Sequence, residues 1–240
     1  MKLVRLSRLR KLQEYEIINI ADIEKDKEFM KLYDKVSRYT MAGIERCYAL
    51  YKSTKYILEN NIPGDFVECG VWRGGSCMLV AYMLSEAGGK DRKIWLYDTF
   101  AGMTEPGPED GSPEKKEWEE RKISPEKSNW CLADIREVEE NMKRTGYPRE
   151  NIELVKGKVE DRIPGTVPAA IALLRLDTDW YASTLHELVH LFPLLEKKGV
   201  LIIDDYGAWQ GAKKATDEYF ATQGPVYLNR IDFTGRLLVK

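Results

Sequence analysis

Histidine and cysteine are scarce: the 240 residues hold two of the first and four of the second. The cysteines (Cys47, Cys69, Cys77 and Cys131) form no CxxC pair and lie far apart. A disulfide framework and a Cys-rich zinc site are therefore excluded, and a reduced, cytoplasmic protein is expected. Basic excess is also missing. Lys plus Arg number 37 against 39 Asp plus Glu, a net charge of −2, whereas a general nucleic-acid binder carries a strong positive surplus. No uncharged apolar run approaches the ~18 residues of a membrane span. The opening stretch MKLVRLSRLRKLQEY interleaves charge with leucine and offers no small-residue cleavage site, so a secretory signal is not expected. What is present is apolar material, 43% of the chain beside 32% charged residues. That suffices for one large core and rules out a disordered chain.

Leu3, Leu6, Leu9 and Leu12 recur at every third position among Lys2, Arg5, Arg8, Arg10 and Lys11. This reads as a short basic amphipathic helix, an arm docking on the body or on a second subunit, so a dimer is expected and a stable membrane anchor is not. Residues 22–61 read as helical throughout, with Phe29, Leu32, Tyr33 and Val36 at helical spacing and a second helix from Gly43 to Asn60. Residues 1–62 thus form a helical extension ahead of a domain spanning 63–240. After Pro63-Gly64, β-rich runs alternate with amphipathic helices, the mark of a parallel sheet with crossover helices. The runs are Asp65–Gly70, Lys93–Asp98, Ile152–Gly157, Ile171–Thr178 and Gly199–Tyr206. Val226–Phe233 and Arg236–Val239, separated by Thr234-Gly235, close the sheet as an antiparallel hairpin. The expected fold is α/β, a doubly wound, mostly parallel seven-stranded sheet.

Between Thr104 and Lys127 the alternation breaks. The segment holds four prolines, two glycines and thirteen charged residues, with Trp118 and Ile123 its large apolar side chains. It reads as no core element but as a charged insertion (104–130), a mobile lid over a site in preference to a solvated surface excursion.

Ligands of an open parallel sheet bind beyond the carboxyl ends of its strands. The first strand closes in Glu68-Cys69-Gly70-Val71-Trp72-Arg73-Gly74-Gly75 ahead of an apolar helix. Gly70, Gly74 and Gly75 permit a tight turn and close approach of a cofactor to the helix N-terminus. The spacing fails the G-x-G-x-x-G of an NAD site. Asp98, closing the second strand, is placed to accept hydrogen bonds from ribose hydroxyls. With Glu68 it makes an acidic rim that suits the cationic sulfonium of S-adenosylmethionine (SAM) better than an anionic pyrophosphate. Asp177 and Asp179 close the fourth strand, and Asp204 and Asp205 the fifth. On neighbouring strands ~4.8 Å apart these carboxylates converge and repel, unless a hard cation, Mg²⁺ foremost, sits among them. His186-Glu187-Leu188-Val189-His190 matches the H-E-x-x-H zinc pattern. It belongs to a helix whose stripe Leu185, Leu188, Val189 and Phe192 packs on the sheet, away from the strand ends, so the zinc reading is set aside.

The blocks GDFVECGVWRGGS, LYDTFAGM, LVKGKVEDRIP, LRLDTDWYAST and LIIDDYGAWQGAKKATDEY, with TMAGIER upstream, resemble the macrocin O-methyltransferase family. These are SAM-dependent class I methyltransferases of macrolide and aminocoumarin pathways, with a Rossmann-like sheet, and the resemblance spans residues 38 to 220 in order. It implies Asp177, Asp204 and Asp205 as Mg²⁺ ligands and Asp179 as general base. It implies Glu68, Gly70 and Asp98 as SAM contacts, with Thr40, Met41, Ser128 and Glu160 as further ones. Some members place a histidine near the substrate hydroxyl; here none precedes His186, which puts the weight on Asp179.

The expected activity is Mg²⁺-dependent O-methylation of a sugar hydroxyl on a small molecule, with a catechol-like pair as second choice. The rival from another class is a non-catalytic SAM- or nucleotide-binding protein that engages a partner.

Overall fold

The computed structural model describes residues 21–89 and 91–240. The amphipathic segment carrying Leu3 to Leu12 lies outside the described residues. No helix among them is long and apolar enough to cross a membrane.

Helices α1 (Ala21–Lys25) and α2 (Lys27–Val36) open the described chain. Asp26 caps α2, its Oδ1 accepting from Phe29 N at 3.1 Å. Phe29, Leu32 and Val36, the stripe expected from spacing, are buried. The helix does not continue to residue 61. A short turn at Ser37–Tyr39 gives way to extended backbone at Thr40, and α3 starts at Ile44 and runs to Glu59. The Thr40 hydroxyl accepts from Ala42 N at 3.1 Å, a local bond that competes with helical pairing. At Gly75 a Cβ would stand 2.5 Å from the Tyr39 carbonyl carbon, so only glycine lets this turn settle against the next helix.

The main sheet has strands β1 (Asp65–Cys69), β2 (Ile94–Asp98), β3 (Ile152–Lys156), β4 (Ile171–Leu176), β5 (Leu195–Ile203), β6 (Asn229–Arg230) and β7 (Arg236–Val239). Their spatial order is β3-β2-β1-β4-β5-β7-β6. The first five are parallel, and β7 pairs antiparallel with both β5 and β6. The chain winds outward from β1 to β3 and returns to β4, so the direction of winding reverses between β1 and β4. Ligands of such sheets bind at this reversal. Helices α4 (Gly75–Ala87), α6 (Ile135–Lys143), α8 (Tyr181–Leu191) and α9 (Gln210–Gln223) cover the sheet. One core unites α2, α3 and α4 with Phe66, Ile94 and Leu173; the other unites α8 and α9 with Leu174, Leu201 and Ile203. Residues of the N-terminal helices therefore share a core with the sheet.

Two expectations need correction. The strand foreseen over Val226–Phe233 shrinks to Asn229–Arg230. Asp232 Oδ1 accepts from Thr234 N (2.9 Å) and Gly235 N (2.6 Å), a side-chain turn that takes this stretch out of the ladder. The insertion, foreseen without a core element, carries α5 (Ser112–Arg121), a two-stranded ribbon (Lys122–Ser124 with Lys127–Ser128) and a buried anchor. Trp118 is 1% exposed and donates from Nε1 to the Met103 carbonyl at 3.1 Å. The short helix α7 (Val159–Arg162) follows β3.

Candidate active site

A cavity of about 340 Å³ opens across the carboxyl ends of β1 to β5. It sits at the lower end of the ~300–1,000 Å³ typical of small-molecule sites. Gly70, with φ of +81°, starts the turn out of β1; a Cβ there would collide with the Asp177 carbonyl, so this glycine lets the β1 and β4 ends touch. Gly70 N donates to Tyr97 O at 2.8 Å and Asp177 N to Cys69 O at 2.9 Å. Asp98 knits the neighbouring loops. Its Oδ2 accepts from Val71 N (2.9 Å) and Trp72 N (3.1 Å), and its Oδ1 from Phe100 N (2.7 Å). Burial nevertheless pushes the Asp98 carboxyl above its ordinary pKa. Three cavity-lining residues other than glycine hold positive φ: Trp72 (46°), Cys131 (50°) and Asp179 (67°). Such backbone concentrates at functional sites.

The aspartates gather as the strand order demands. Asp177, Asp204 and Asp205 each bring a carboxylate oxygen within 4.8 Å of the others. Arginine was overlooked in the sequence. Arg175, on β4 beneath the cluster and 3% exposed, donates from Nη1 to Glu68 (2.5 Å) and Asp177 (2.7 Å), and from Nη2 to Asp204 Oδ1 (2.6 Å). Arg46 of α3 binds the other Asp204 oxygen, with Asp232 3.1 Å from its Nε. The compensating charge foreseen for a metal is thus partly supplied by two guanidiniums. It does not cover the whole cluster: no salt bridge among the described residues reaches Asp179 or Asp205. Asp179 N donates to Asp205 Oδ2 at 3.2 Å. Burial, and then the neighbouring aspartates, hold the Asp205 carboxyl well above its ordinary range; burial pushes Asp179 up to about 7. The three donors are all carboxylate oxygens and one of them, Asp205, lacks a counter-charge, as does Asp179 beside them, a set that suits a hard divalent cation.

Of the residues singled out in the sequence, Met41, Gly70, Asp98, Glu160, Asp177, Asp179, Asp204 and Asp205 line the cavity. Glu68, Thr40, Gly74 and Ser128 do not. Glu68 lies below the floor, 5% exposed, accepting from Arg175 and from Cys77 Sγ (2.9 Å). Gly74 caps α4 and faces Val138. Ser128 is fully buried and donates to the Met103 carbonyl at 2.9 Å. The histidine pair of α8 stays apart from the cavity: His186 Nε2 meets Ile163 O at 2.8 Å, and Glu187 is buried against Thr178 Oγ1 at 3.0 Å. Among the described residues the one cluster with metal-ligand geometry is the aspartate group.

Three tryptophans wall the cavity above the aspartates. Trp130, Trp180 and Trp209 pack edge to face, ring centres 5.3 to 6.1 Å apart. Trp180 Nε1 donates to Thr104 O at 3.0 Å, and Asp110 Oδ1 accepts from Tyr181 N at 2.7 Å, so the insertion is tied to the first turn of α8. Neither the tryptophans nor Arg175 figured in the sequence reading. The signal for Arg175 was there: one charge inside the otherwise apolar run IALLRL marks a buried partner for acids.

The family described as Macrocin-O-methyltransferase (TylF) matches residues 5–239. The demethyldecarbamoylnovobiocin O-methyltransferase of Streptomyces niveus is 35% identical over 184 residues, covering 76% of this chain and 68% of that one. The 8-demethyl-8-(2,3-dimethoxy-alpha-L-rhamnosyl)-tetracenomycin-C 4'-O-methyltransferase of Streptomyces olivaceus is 33% identical over 201 residues, covering 82% and 74%. The solved structure of the O-methyltransferase NovP superposes with a TM-score of 0.75 at 30% identity, covering 84% of this chain and 82% of that one. With the sheet order and the cavity at its reversal point, these likenesses place the chain in the macrocin-O-methyltransferase family, as a SAM-dependent O-methyltransferase with the class I fold.

Proposed function

We propose that the protein methylates a hydroxyl of a sugar or glycosylated small molecule and depends on Mg²⁺. One observation carries this reading: three carboxylates converge beside Asp179, in a cavity continuous with Gly70 and Asp98. The relative from Streptomyces olivaceus, named for a rhamnosyl-bearing acceptor, supports the sugar. In this reading residues 63–240 form the catalytic domain and 1–62 its helical extension. The chain works as a cytoplasmic homodimer, a view resting on its four free thiols and its leucine-striped N-terminal segment.

SAM brings a methyl already activated by its sulfonium, so the protein must supply alignment and a deprotonated oxygen. Gly70 and Asp98, with Met41 and Glu160 at the rim, hold the donor at the β1–β2 side; Glu68 acts from below by fixing Arg175. Asp177, Asp204 and Asp205 would hold Mg²⁺, which when bound supplies Lewis-acid stabilisation of negative charge on the acceptor oxygen. Asp179 takes the hydroxyl proton on its carboxylate. An ordinary aspartate, with a pKa of ~3.9, is too weak a base for an alcohol; a value near 7 brings it closer to the task. The tryptophans and the insertion exclude water from the transfer.

The test is Asp177→Ala and Asp205→Ala in parallel. Methyl transfer to glycosides is expected to vanish in both, while SAM binding by calorimetry stays within about threefold, a difference of under 1 kcal/mol. Equal loss of binding and turnover would make these residues structural. Turnover unchanged by EDTA would remove the metal from the reading.

A further inference from the structure

We infer that Trp130, Trp180 and Trp209 form a corner that receives the ring of a neutral pyranoside and turns its hydroxyls toward Asp179 and Asp205. The inference deepens the proposed function and rests on it. The first support is placement. The cavity runs from the β2 and β1 ends, where Asp98 and Gly70 lie, to the β4 and β5 ends, and the three indoles stand on the second side. Trp180 follows Asp179 directly in the chain. Trp209 donates its backbone N–H to the Asp205 carbonyl at 2.9 Å. Two walls are therefore fixed to the residues that meet the reacting hydroxyl.

Shape decides between ring chemistries. The indole planes cross at 72° (Trp130 with Trp180), 61° (Trp130 with Trp209) and 79° (Trp180 with Trp209). A flat catechol is held best between parallel faces, in offset stacking. Steeply crossing walls leave a corner instead of a slot, and a corner suits a thick chair whose C–H face lies on one indole. Such C–H groups carry partial positive charge and meet the negative face of the π-system, as a ring edge does. Rigidity helps as well. Trp180 is 3% exposed and held through Nε1 by Thr104, while Trp130 and Trp209 are half-buried at the cavity wall. Arg121 of α5 lies 5.8 Å from the Trp130 ring centre, securing that wall from the insertion. Charge restricts the ligand further. Five aspartates and Glu160 line the same cavity against Arg46 and Lys158, an acidic excess that disfavours a uronate or sugar phosphate and admits a neutral ring.

The test uses the full chain with indole-¹⁵N tryptophan, saturated with S-adenosylhomocysteine, and follows the Nε1–H signals. The probes are methyl α-L-rhamnopyranoside, methyl β-D-glucopyranoside, methyl β-D-glucuronide and catechol. At least one neutral pyranoside is expected to shift the Trp130 and Trp209 signals and leave that of Trp95, which donates to Asp65 at 2.9 Å outside the cavity. Trp130→Ala should bind that pyranoside about tenfold more weakly, and Trp130→Phe within about threefold of the parent. Shifts caused by catechol or glucuronide but by neither neutral pyranoside overturn the inference, as does the absence of any shift. Unchanged affinity in Trp130→Ala overturns it too, and leaves the metal-dependent methyl transfer standing. Loss of EDTA sensitivity or of methyl transfer in the parent chain strikes the underlying reading instead.

Discussion

Arg175 reaches Asp204 from beneath the sheet end, its Nη2 donating to Oδ1 at 2.6 Å while Nη1 of the same guanidinium serves Glu68 and Asp177. One buried cation thus holds three acids from β1, β4 and the end of β5. Arg175→Met keeps the length and removes the charge, leaving the acids uncompensated. Urea denaturation should register a loss of about 3–5 kcal/mol, the usual penalty for breaking a buried ion pair from one side. Arg175→Lys should recover only part of it, since one ammonium cannot reproduce the forked geometry. A methionine variant as stable as the parent would mean that the acids are neutral in the folded chain.

The same cluster sets a pH dependence. Asp179 sits near 7 in the folded chain against ~3.9 for a free aspartate, and Asp177 and Asp205 move in the same direction. Between those values the folded state holds more protons than the unfolded one. Stability must then fall as pH rises from about 4 to about 7 and stay lower above that. In EDTA, the melting temperature should be lower at pH 8 than at pH 5. Added Mg²⁺ should raise it more at pH 8. An equal gain at both pH values would argue that the ion does not bind these carboxylates.

Asp179→Asn removes the proposed proton acceptor with little change of volume. kcat should drop by about 10²–10⁴, the range of general-base contributions, with SAM affinity unaffected. The parent's kcat/KM should climb with pH as Asp179 deprotonates, with a midpoint below about 7 because a bound Mg²⁺ favours the carboxylate, and the variant's residual rate should be flat there. A variant profile identical in shape to the parent's would place the base elsewhere.

Gly70→Ala tests the contact between the β1 and β4 ends. Its methyl would meet the Asp177 carbonyl at a backbone angle of +81°, so the two loops must part. The expected cost is about 1–3 kcal/mol of stability, accompanied by loss of SAM binding in calorimetry. Retained binding would show that the loops separate without consequence.

Asp110 is the latch of the insertion, accepting from Gly107 N and Tyr181 N, both at 2.7 Å. Asp110→Ala should cost about 0.5–2 kcal/mol, the scale of a lost helix cap. Limited proteolysis should cut faster within residues 104–130, and KM for the acceptor should rise while SAM affinity holds. Unaltered cleavage would mean that Trp118 and Thr104 suffice to anchor the segment.

Much of the sheet was legible because its signals are local. Runs such as IALLRL and GVLIID are apolar on both faces, and turns separate them, so the parallel strands and their order of appearance follow from texture. The aspartates were legible for a related reason: a strand delivers its last residues to one edge, and β4 lies beside β5. What escaped was long-range. Nothing near Glu68 announces that Arg175, 107 residues later, claims it from below the floor. Helical periodicity continues through residues 37–43, yet the chain opens there, since Thr40 bonds to Ala42 and the turn packs on Gly75. The insertion reads as solvated because 13 of its 24 residues from Thr104 to Lys127 are charged. A single tryptophan, Trp118, outweighs that composition once it finds the Met103 carbonyl.

The cavity draws its aromatic wall from both sides of a divide: Trp130 and Thr104 come from the insertion, while Trp180 and Trp209 come from the loops that also carry Asp179 and Asp205. Half of that wall is thus inherited with the carboxylates and half is exchangeable. A transplanted 104–130 segment would reshape only the exchangeable half, and it would have to keep the attachments at Trp118, Thr104 and Asp110.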